Sequence, residues 1–294
     1  MNRVDDVQSG VPVMPWPAYR IGGGPGSPTS CVPLEEPLSI EVNGHRVAVL
    51  MRLPGHEREL AVGFCVSEGL ITDFQAIEIV EHCGQGLRGP DARASDGEES
   101  RNRVRIRVRP NAVAKSASLE ITRLIRSGCG AVGSTELGEI GLSPVTSTLS
   151  IPLHLLLRAK RLLRTGQEVH RRVGGVHGTA VFDAQGKLIV AHEDIGRHNA
   201  VDKVIGHCLM HAIPLDDKVL VSTGRASYEM LTKGIRLGIP IIATISACTS
   251  LAVQLAEEYD VTLIGYLRGK RLTIYTHPER VVASSSSRDD RPVT

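Results

Sequence analysis

The second half of the chain alternates short apolar runs with segments that have the periodicity of an amphipathic helix. Val201, Val204, Ile205 and Cys208 recur at the spacing i, i+3, i+4 and i+7, which places them on one face of a helix. Strands are predicted at 176–182, 187–191, 218–222, 240–246 and 261–266, and further helices at 152–164, 226–237 and 251–259. Since strand–helix–strand repeats imply parallel strands with right-handed crossovers, we expect an α/β domain over 151–280.

The first half of the chain alternates apolar and polar residues strictly, which is typical of strands with one buried face. Asn43-Gly44 is a strong signal for a hairpin turn and follows the alternating run 38–42. Residues 103–109 alternate between apolar side chains and arginines, whereas 56–70 have helical periodicity. These elements predict a smaller N-terminal α+β subdomain over 33–115.

The remaining segments show no regular spacing of apolar residues. Residues 1–32 are rich in proline and glycine, and 281–294 contain a run of four serines, so we expect a disordered arm and a disordered tail. Residues 116–150 are interpreted as a linker that carries Cys129.

Polar side chains and glycines follow four of the predicted strands in the second half. Because the carboxyl ends of parallel strands meet at one edge of a sheet, these loops are expected to share an edge, which we call the rim. Ligands of open α/β sheets bind at such an edge, and glycine, arginine and hydroxyl groups there suit an anion. The candidate binding residues are Gly196, Arg197, His198, Thr223, Gly224, Arg225, Ser227, Tyr266, Leu267, Arg268, Gly269, Lys270 and Arg271.

These rim residues also have structural interpretations. Glu193, Asp194 or Asn199 can cap the helix that follows them, and the cations near Gly269 can belong to an ordinary turn. His177, which begins a strand, is more often a structural histidine. His192 and His198 have no third ligand at a supporting spacing, so no metal site is expected.

Cys129 lies between two glycines, in Ser127-Gly128-Cys129-Gly130. Glycine neighbours leave a thiol accessible, and the upstream Arg123 and Arg126 favour the nucleophilic thiolate. The alternative is a small residue in a glycine-rich turn. Cys65, Cys83 and Cys208 lie on apolar faces, so we expect them in the core.

Composition excludes several classes of protein. A hydrophobic fraction of 41% predicts a globular fold, while 3% aromatic residues and a net charge of +2 argue against nucleic-acid binding. No apolar run approaches the roughly 20 residues of a membrane span, and the first residues lack the apolar stretch of a signal peptide. The six cysteines have no C-x-x-C spacing, so a reducing cytoplasm is the expected compartment.

The motifs, taken together and in order, resemble the FdhD family of formate dehydrogenase accessory sulfurtransferases over residues 33–277. The resemblance rests on sequence segments in both halves, among them Met51-Arg52-Leu53-Pro54-Gly55, Ser67-Glu68-Gly69-Leu70-Ile71, Gly174-Gly175-Val176-His177, Glu193-Asp194-Ile195-Gly196-Arg197-His198-Asn199-Ala200-Val201-Asp202-Lys203, Gly224-Arg225-Ala226-Ser227-Tyr228-Glu229-Met230 and Arg268-Gly269.

The resemblance implies a fold and a function. It implies a three-layer α/β core like that of cytidine deaminase, although the zinc signature of deaminases is not present here. Such proteins take sulfur from a cysteine desulfurase as a cysteine persulfide. They pass it to the molybdenum bis(molybdopterin guanine dinucleotide) cofactor before that cofactor enters formate dehydrogenase. The resemblance also implies a cytoplasmic homodimer, with Cys129 carrying the sulfur and the loop at 266–271 holding the guanine-dinucleotide end.

The sequence departs from the family pattern at the central loop, where Val132 stands in place of a second cysteine. Cys129 therefore cannot release its sulfur by forming a disulfide with a cysteine at position 132. A single thiol can still carry sulfur as a persulfide. Cys248 stands where the family tends to have proline, and on the rim it is a candidate partner thiol. Two alternative functions stay open: a molybdenum-cofactor chaperone without sulfur transfer, and a nucleotide hydrolase of deaminase-like fold.

Overall fold

The computed structural model describes residues 10–17, 29–82, 101–114, 141–269 and 271–283. It is a mixed α/β protein with several sheets. The α-helices of these residues are α1 (Glu57–Ser67), α2 (Leu153–Thr165), α3 (Glu168–Arg172), α4 (Arg197–Met210), α5 (Tyr228–Arg236) and α6 (Ser250–Glu258). The strands are β1 (Val13–Pro17), β2 (Thr29–Pro33), β3 (Glu36–Val42), β4 (His45–Arg52), β5 (Ile77–His82), β6 (Arg103–Val108), β7 (Ile151–Pro152), β8 (His177–Phe182), β9 (Leu188–Asp194), β10 (Val219–Ser222), β11 (Ile241–Thr244), β12 (Thr262–Arg268), β13 (Arg271–Ile274) and β14 (Val281–Val282).

A six-stranded sheet in the order β13-β12-β11-β10-β8-β9 forms the centre of the second half. Strands β10, β11 and β12 are parallel, as the strand–helix–strand pattern predicts. Strand β8 is antiparallel to both β9 and β10, so β9 points the same way as β10. The carboxyl ends of β9, β10, β11 and β12 therefore lie at one edge of the sheet, and the prediction of a shared edge is confirmed.

Helices cover both faces of this sheet because its strands are apolar on both sides. Helix α2 buries Leu156 and Leu163 against a cluster that includes Phe182 and Val221. On the opposite face, α4, α5 and α6 pack in a second cluster, which includes Leu220. Burying both faces of the sheet is the main source of stability for this part of the chain.

A four-stranded sheet in the order β4-β3-β6-β5 forms the first half. Strand β6 alternates as predicted, with Val104 and Ile106 buried and Arg105 exposed. The apolar face of this sheet packs against α1 in a cluster that includes Leu60 and Phe64. The predicted hairpin between β3 and β4 is confirmed, with Asn43 at a φ of 49° in the turn.

The two halves join where α1 crosses α4. A Cβ atom placed on Gly63 would lie 1.9 Å from the carbonyl oxygen of Asp202, and one on Gly206 would lie 1.8 Å from that of Glu59. Two glycines that face each other's helices therefore allow the backbones to touch. The crossing makes the N-terminal sheet and the six-stranded sheet parts of one packed structure.

A buried ion pair reinforces the same junction. The Nζ atom of Lys233 on α5 lies 2.9 Å from Asp202 Oδ1 on α4 and also donates to Ser67 Oγ on α1 at 2.9 Å. Ser67 Oγ in turn donates to Asp202 Oδ1 at 2.7 Å. Three helices therefore share one hydrogen-bonded network that is closed to solvent.

Strand β1 and all but the last residue of β2 lie within 1–32, the range expected to be a disordered arm, so they differ from the sequence prediction. They pair in an antiparallel ribbon. Val11 and Val13 are buried beside Leu53, Val169 and Val176, so contacts with distant residues order this part of the segment. Local composition shows no such contact, and the sequence prediction fails here for that reason.

No helix within the described ranges is long and apolar enough to cross a membrane.

Candidate functional site

Hydrogen bonds and close contacts tie the neighbouring loops of the rim together. A Cβ atom on Gly224 would lie 2.6 Å from Cβ of Arg197, so the loop after β10 touches the first turn of α4. The loop after β10 also bonds to the loop after β11, because Ala226 N donates to Ala247 O at 3.0 Å. The structure thus brings the rim loops into contact along one continuous edge.

The loop between β9 and α4 is held by buried polar contacts. Asp194 is fully buried, and its Oδ2 atom lies 2.8 Å from Lys203 Nζ. Its carboxylate also accepts hydrogen bonds from Gly196 N at 3.0 Å, Asn199 Nδ2 at 2.9 Å and Leu53 N at 3.2 Å. Asp194 therefore positions the loop, and both of its carboxylate oxygens are used by these contacts.

Glu193 also has a structural role. Its carboxylate accepts hydrogen bonds from Val169 N at 2.8 Å and from His170 N at 2.9 Å, at the start of α3. The sequence allowed Glu193 to cap the helix after it. In the structure, it caps a helix that precedes it in the chain.

Arg197 and His198 are the motif residues left to face a ligand. The sequence prediction placed them in a loop, but α4 begins at Arg197, so both belong to the first turn of the helix. Arg197 Nε and His198 Nε2 are buried and have no hydrogen-bond partner among the described residues. Burial and then the charge of Arg197 together lower the pKa of His198 to about 4, so the imidazole is neutral at neutral pH.

The loop after β10 supplies the next set of polar groups. Thr223 Oγ1 accepts a hydrogen bond from Gly178 N at 3.0 Å, and Ser227 Oγ donates to Glu229 Oε2 at 2.6 Å. Arg225 is exposed. Arg225 on this loop and Arg197 on the neighbouring first turn of α4 place two guanidinium groups on adjacent segments, an arrangement suited to carboxylate or phosphate oxygens.

The last candidate segment is a hairpin end and not an open loop. Tyr266, Leu267 and Arg268 belong to β12, and Arg271 begins β13. Leu267 is 1% exposed, in the core cluster beneath the sheet, so its side chain cannot contact a ligand. Lys270 lies outside the described residues.

Tyr266 has an unusual backbone conformation in this hairpin. Its φ of 51° lies in the left-handed region, where the pairing of β12 with β13 shifts register. The ring is 43% exposed, and the guanidinium carbon of Arg268 lies 5.5 Å from its centroid. Arg268 Nε donates to Ile245 O at 3.0 Å, which fixes that cation beside the loop after β11. The hairpin thus offers an aromatic face and two arginines at the rim.

The cysteines are only partly described. Cys129 and Cys83 lie outside the described residues, as do Arg123, Arg126 and Val132. Cys65 and Cys208 are fully buried, which confirms their assignment to the core. Cys248 lies on the rim next to Gly265, and burial raises the pKa of its thiol to about 12. At neutral pH it is therefore a thiol and a weak nucleophile.

Sequence reasoning missed a group of four histidines that joins the start of α1, strand β9 and the C-terminal end of α4. The rings of His56 and His192 are 3.8 Å apart, those of His192 and His207 are 5.6 Å apart, and those of His207 and His211 are 4.1 Å apart. Only the i, i+4 spacing of the last pair was visible in the sequence. No three metal-ligating side chains within the described ranges form a group that can hold a metal ion.

This histidine group makes the fold sensitive to acid. Burial, followed by the charge of His56, lowers the pKa of His192 to about 3. The pKa of His192 in the folded protein lies below the usual value of about 6.5. Its full contribution to the free energy of unfolding is therefore present above pH 6.5 and is lost as the pH falls toward 3. We expect the free energy of unfolding to fall by up to about 1.4 kcal/mol per pH unit from this residue in that window.

Urea unfolding at a series of pH values measures this dependence. His192→Gln is expected to reduce the slope by about one proton, since glutamine does not titrate. The matched control is His211→Gln, at the exposed end of α4, which is expected to leave most of the slope in place. An unchanged slope in His192→Gln would contradict the assignment.

Comparisons with known proteins agree on one family. The sequence matches the FdhD/NarQ family over residues 33–282. The sulfur carrier protein FdhD of Saccharolobus solfataricus is 40% identical over 255 residues, covering 85% of this chain and 90% of the relative. The sulfur carrier protein FdhD of Streptomyces coelicolor is 37% identical over 253 residues, covering 84% and 87%.

The fold agrees with the sequence match. A crystal structure assigned as a formate dehydrogenase accessory protein from Desulfotalea psychrophila superimposes with a TM-score of 0.69 at 25% sequence identity. The superposition covers 92% of this chain and 98% of that one. This chain therefore belongs to the FdhD/NarQ family.

Proposed function

We propose that this protein is a sulfur carrier that serves the maturation of formate dehydrogenase. It accepts sulfur as a persulfide on Cys129 and delivers that sulfur to a molybdenum bis(molybdopterin guanine dinucleotide) cofactor. The observation that carries the proposal is the convergence of arginines and unpartnered polar atoms on one rim, at Arg197, His198, Arg225, Arg268 and Arg271. Such an edge suits a large ligand that carries several phosphates.

The sulfur chemistry requires one thiol on this chain. The Cys129 thiolate attacks the outer sulfur of a persulfide on the cysteine desulfurase, a sulfur–sulfur bond forms at Cys129, and the desulfurase cysteine leaves as a thiolate. This exchange involves no net oxidation. The outer sulfur then passes as a neutral atom to the molybdenum of the cofactor, which supplies the two electrons, and Cys129 returns to the thiol. A resolving cysteine at position 132 is not needed.

The hairpin at 266–271 is proposed to hold a guanine-dinucleotide end of the cofactor. The ring of Tyr266 offers a stacking face, and Arg268 and Arg271 offer charge to the pyrophosphate. In this proposal, the guanine-dinucleotide end also contacts Gly269 and Lys270. The remainder of the cofactor contacts the other rim residues, which are Gly196, Arg197, His198, Thr223, Gly224, Arg225 and Ser227. The described polar groups fit an anionic ligand, because Arg197 Nε and His198 Nε2 are buried without partners within the described ranges.

Guanosine diphosphate is a convenient probe of this end of the cofactor. Arg268→Ala and Arg271→Ala are each expected to weaken its binding by roughly tenfold, since each removes a hydrogen bond between charged groups. Isothermal titration calorimetry gives the affinity. The control is Arg46→Ala, which removes an exposed arginine on the other sheet. Unchanged affinity in both hairpin variants would argue against this placement.

The proposal extends to partners and architecture. The partners are a cysteine desulfurase and formate dehydrogenase, and the protein acts as a cytoplasmic homodimer. We further propose that the core has the layering of cytidine deaminase, with a subdomain at 33–115, a linker at 116–150 and a cofactor-binding domain at 151–280.

Mass spectrometry tests the sulfur-carrier proposal directly. The purified protein is incubated with a cysteine desulfurase and cysteine, and the peptide that contains Cys129 is expected to gain one sulfur atom. Added sulfur on Cys248 alone would place the carrier elsewhere. If no cysteine gains sulfur while the cofactor still binds, the protein is a chaperone. If it turns over a free guanine nucleotide, it is a hydrolase.

A further inference from the structure

His177 occupies a central position on the rim that the sequence analysis treated as structural. It begins β8, the strand that lies between β9 and β10, and its register partner on β9 is Asp194. The loops that follow β9 and β10 therefore flank it on both sides. Arg197 begins α4 directly after the first loop, and Thr223 lies in the second.

A hydrogen bond joins the His177 ring to Thr223. Thr223 Oγ1 already accepts a hydrogen bond from Gly178 N, and it lies 3.2 Å from His177 Nδ1. Among the residues that the structure describes, the Thr223 hydroxyl has no other acceptor for its single proton. A Thr223 hydroxyl that donates to Nδ1 leaves a neutral ring with its own proton at Nε2.

The surroundings keep this ring neutral. Burial lowers the pKa of His177, and the charges of Arg197 on α4 and His170 on α3 lower it further, against the opposing effect of Asp194 on β9. The Nε2–H group has no partner within the described ranges. With the Thr223 hydroxyl donating to Nδ1, this group is a neutral donor at the rim.

We propose that His177 contacts the cofactor directly, donating its Nε2–H to a phosphate oxygen that Arg197 also binds, while Thr223 holds the ring in the donating tautomer. This assignment rests on the proposed function, because it concerns the same anionic ligand. A neutral N–H beside an arginine adds direction to the binding of an oxyanion without adding a second charge.

Inorganic pyrophosphate is the probe for this contact, because it carries the oxyanion without the guanine. His177→Phe keeps a ring and removes the donor, so it is expected to weaken pyrophosphate binding by roughly tenfold to a hundredfold. His177→Gln, whose side-chain amide can donate from a similar position, is expected to recover part of the loss. His211→Phe, on the exposed end of α4, is the control and is expected to bind as the wild-type chain does.

The tautomer of the His177 ring can be measured directly, and a loss of packing alone would not change it. Nitrogen-15 spectra of the labelled protein are expected to show His177 protonated at Nε2. Thr223→Val removes the donor to Nδ1, so it is expected to shift the ring toward a mixture of tautomers and to weaken pyrophosphate binding. Thr223→Ser is expected to restore both.

Three results would overturn the inference: no pyrophosphate binding by the wild-type chain, unchanged affinity in His177→Phe, or a His177 ring protonated at Nδ1. Loading of sulfur on Cys129, measured in the same preparations, separates the two proposals. Normal loading with unchanged anion affinity in His177→Phe would refute the role of His177 and leave the sulfur-carrier proposal intact. If Cys129 gains no sulfur while His177→Phe weakens pyrophosphate binding as expected, the sulfur-carrier proposal is refuted and the role of His177 in anion binding stands.

Discussion

Replacing Cys129 with serine is expected to abolish activation of formate dehydrogenase by this protein. Serine cannot form a persulfide, and Val132 leaves the central loop without a second thiol that could take over. This chain is therefore expected to lose activity entirely. The measurement is the activity of formate dehydrogenase produced in cells that lack their own carrier and express the variant.

The matched control is Cys248→Ser, which changes the thiol on the rim. Burial raises the pKa of Cys248, so it is protonated at neutral pH and is expected to contribute little to sulfur transfer. Guanosine diphosphate affinity should stay unchanged in Cys129→Ser, which would separate lost chemistry from lost cofactor binding. Full dehydrogenase activity with Cys129→Ser would refute the assignment of the carrier.

A single methyl group added at Gly206 is expected to disrupt the junction between the two halves of the fold. Replacing a glycine inside an exposed helix by alanine normally stabilises the helix by up to about 1 kcal/mol. Here the added Cβ would lie 1.8 Å from the carbonyl oxygen of Glu59, which belongs to a packed helix backbone. Helices α1 and α4 would have to separate, and we expect the free energy of unfolding to fall by more than about 4 kcal/mol.

Urea unfolding of Gly206→Ala measures the effect, and Gly63→Ala tests the other side of the crossing. Gly174→Ala is the matched control, because its added Cβ meets no atom within 4 Å although φ is 73°. It is expected to show only the strain of the left-handed backbone, about 1 kcal/mol. Equal or greater stability of Gly206→Ala would show that the helices do not touch as described.

The regular elements were predictable because their patterns are local. The turn at Asn43-Gly44, the strand with alternating arginines and the helix with Val201 and Val204 all follow from spacing of apolar residues within a few turns or strand lengths. The common edge of the second sheet followed as well, since crossover rules restrict the directions of consecutive strands. Family motifs then indicated which loops of that edge to examine.

The roles of the motif residues could not be predicted, because they depend on partners far away in the chain. Asp194 and Lys203 belong to the longest family motif, and the structure shows that Asp194 accepts a hydrogen bond from Leu53 N and Lys203 donates to Leu53 O. The stacking of His56 on His192 joins residues from different halves. No local pattern carries information about such pairs.

By itself, the sequence determined the family, the order and periodicity of the main elements, and a rim rich in arginine and glycine. It determined these because hydrophobic spacing, turn chemistry and a set of ordered motifs are properties of neighbouring residues. Only the tertiary structure decided that α4 begins at Arg197, that Gly63 and Gly206 permit a helix crossing, and that His177 contacts Thr223 at the rim. These depend on distances between segments that folding alone brings together.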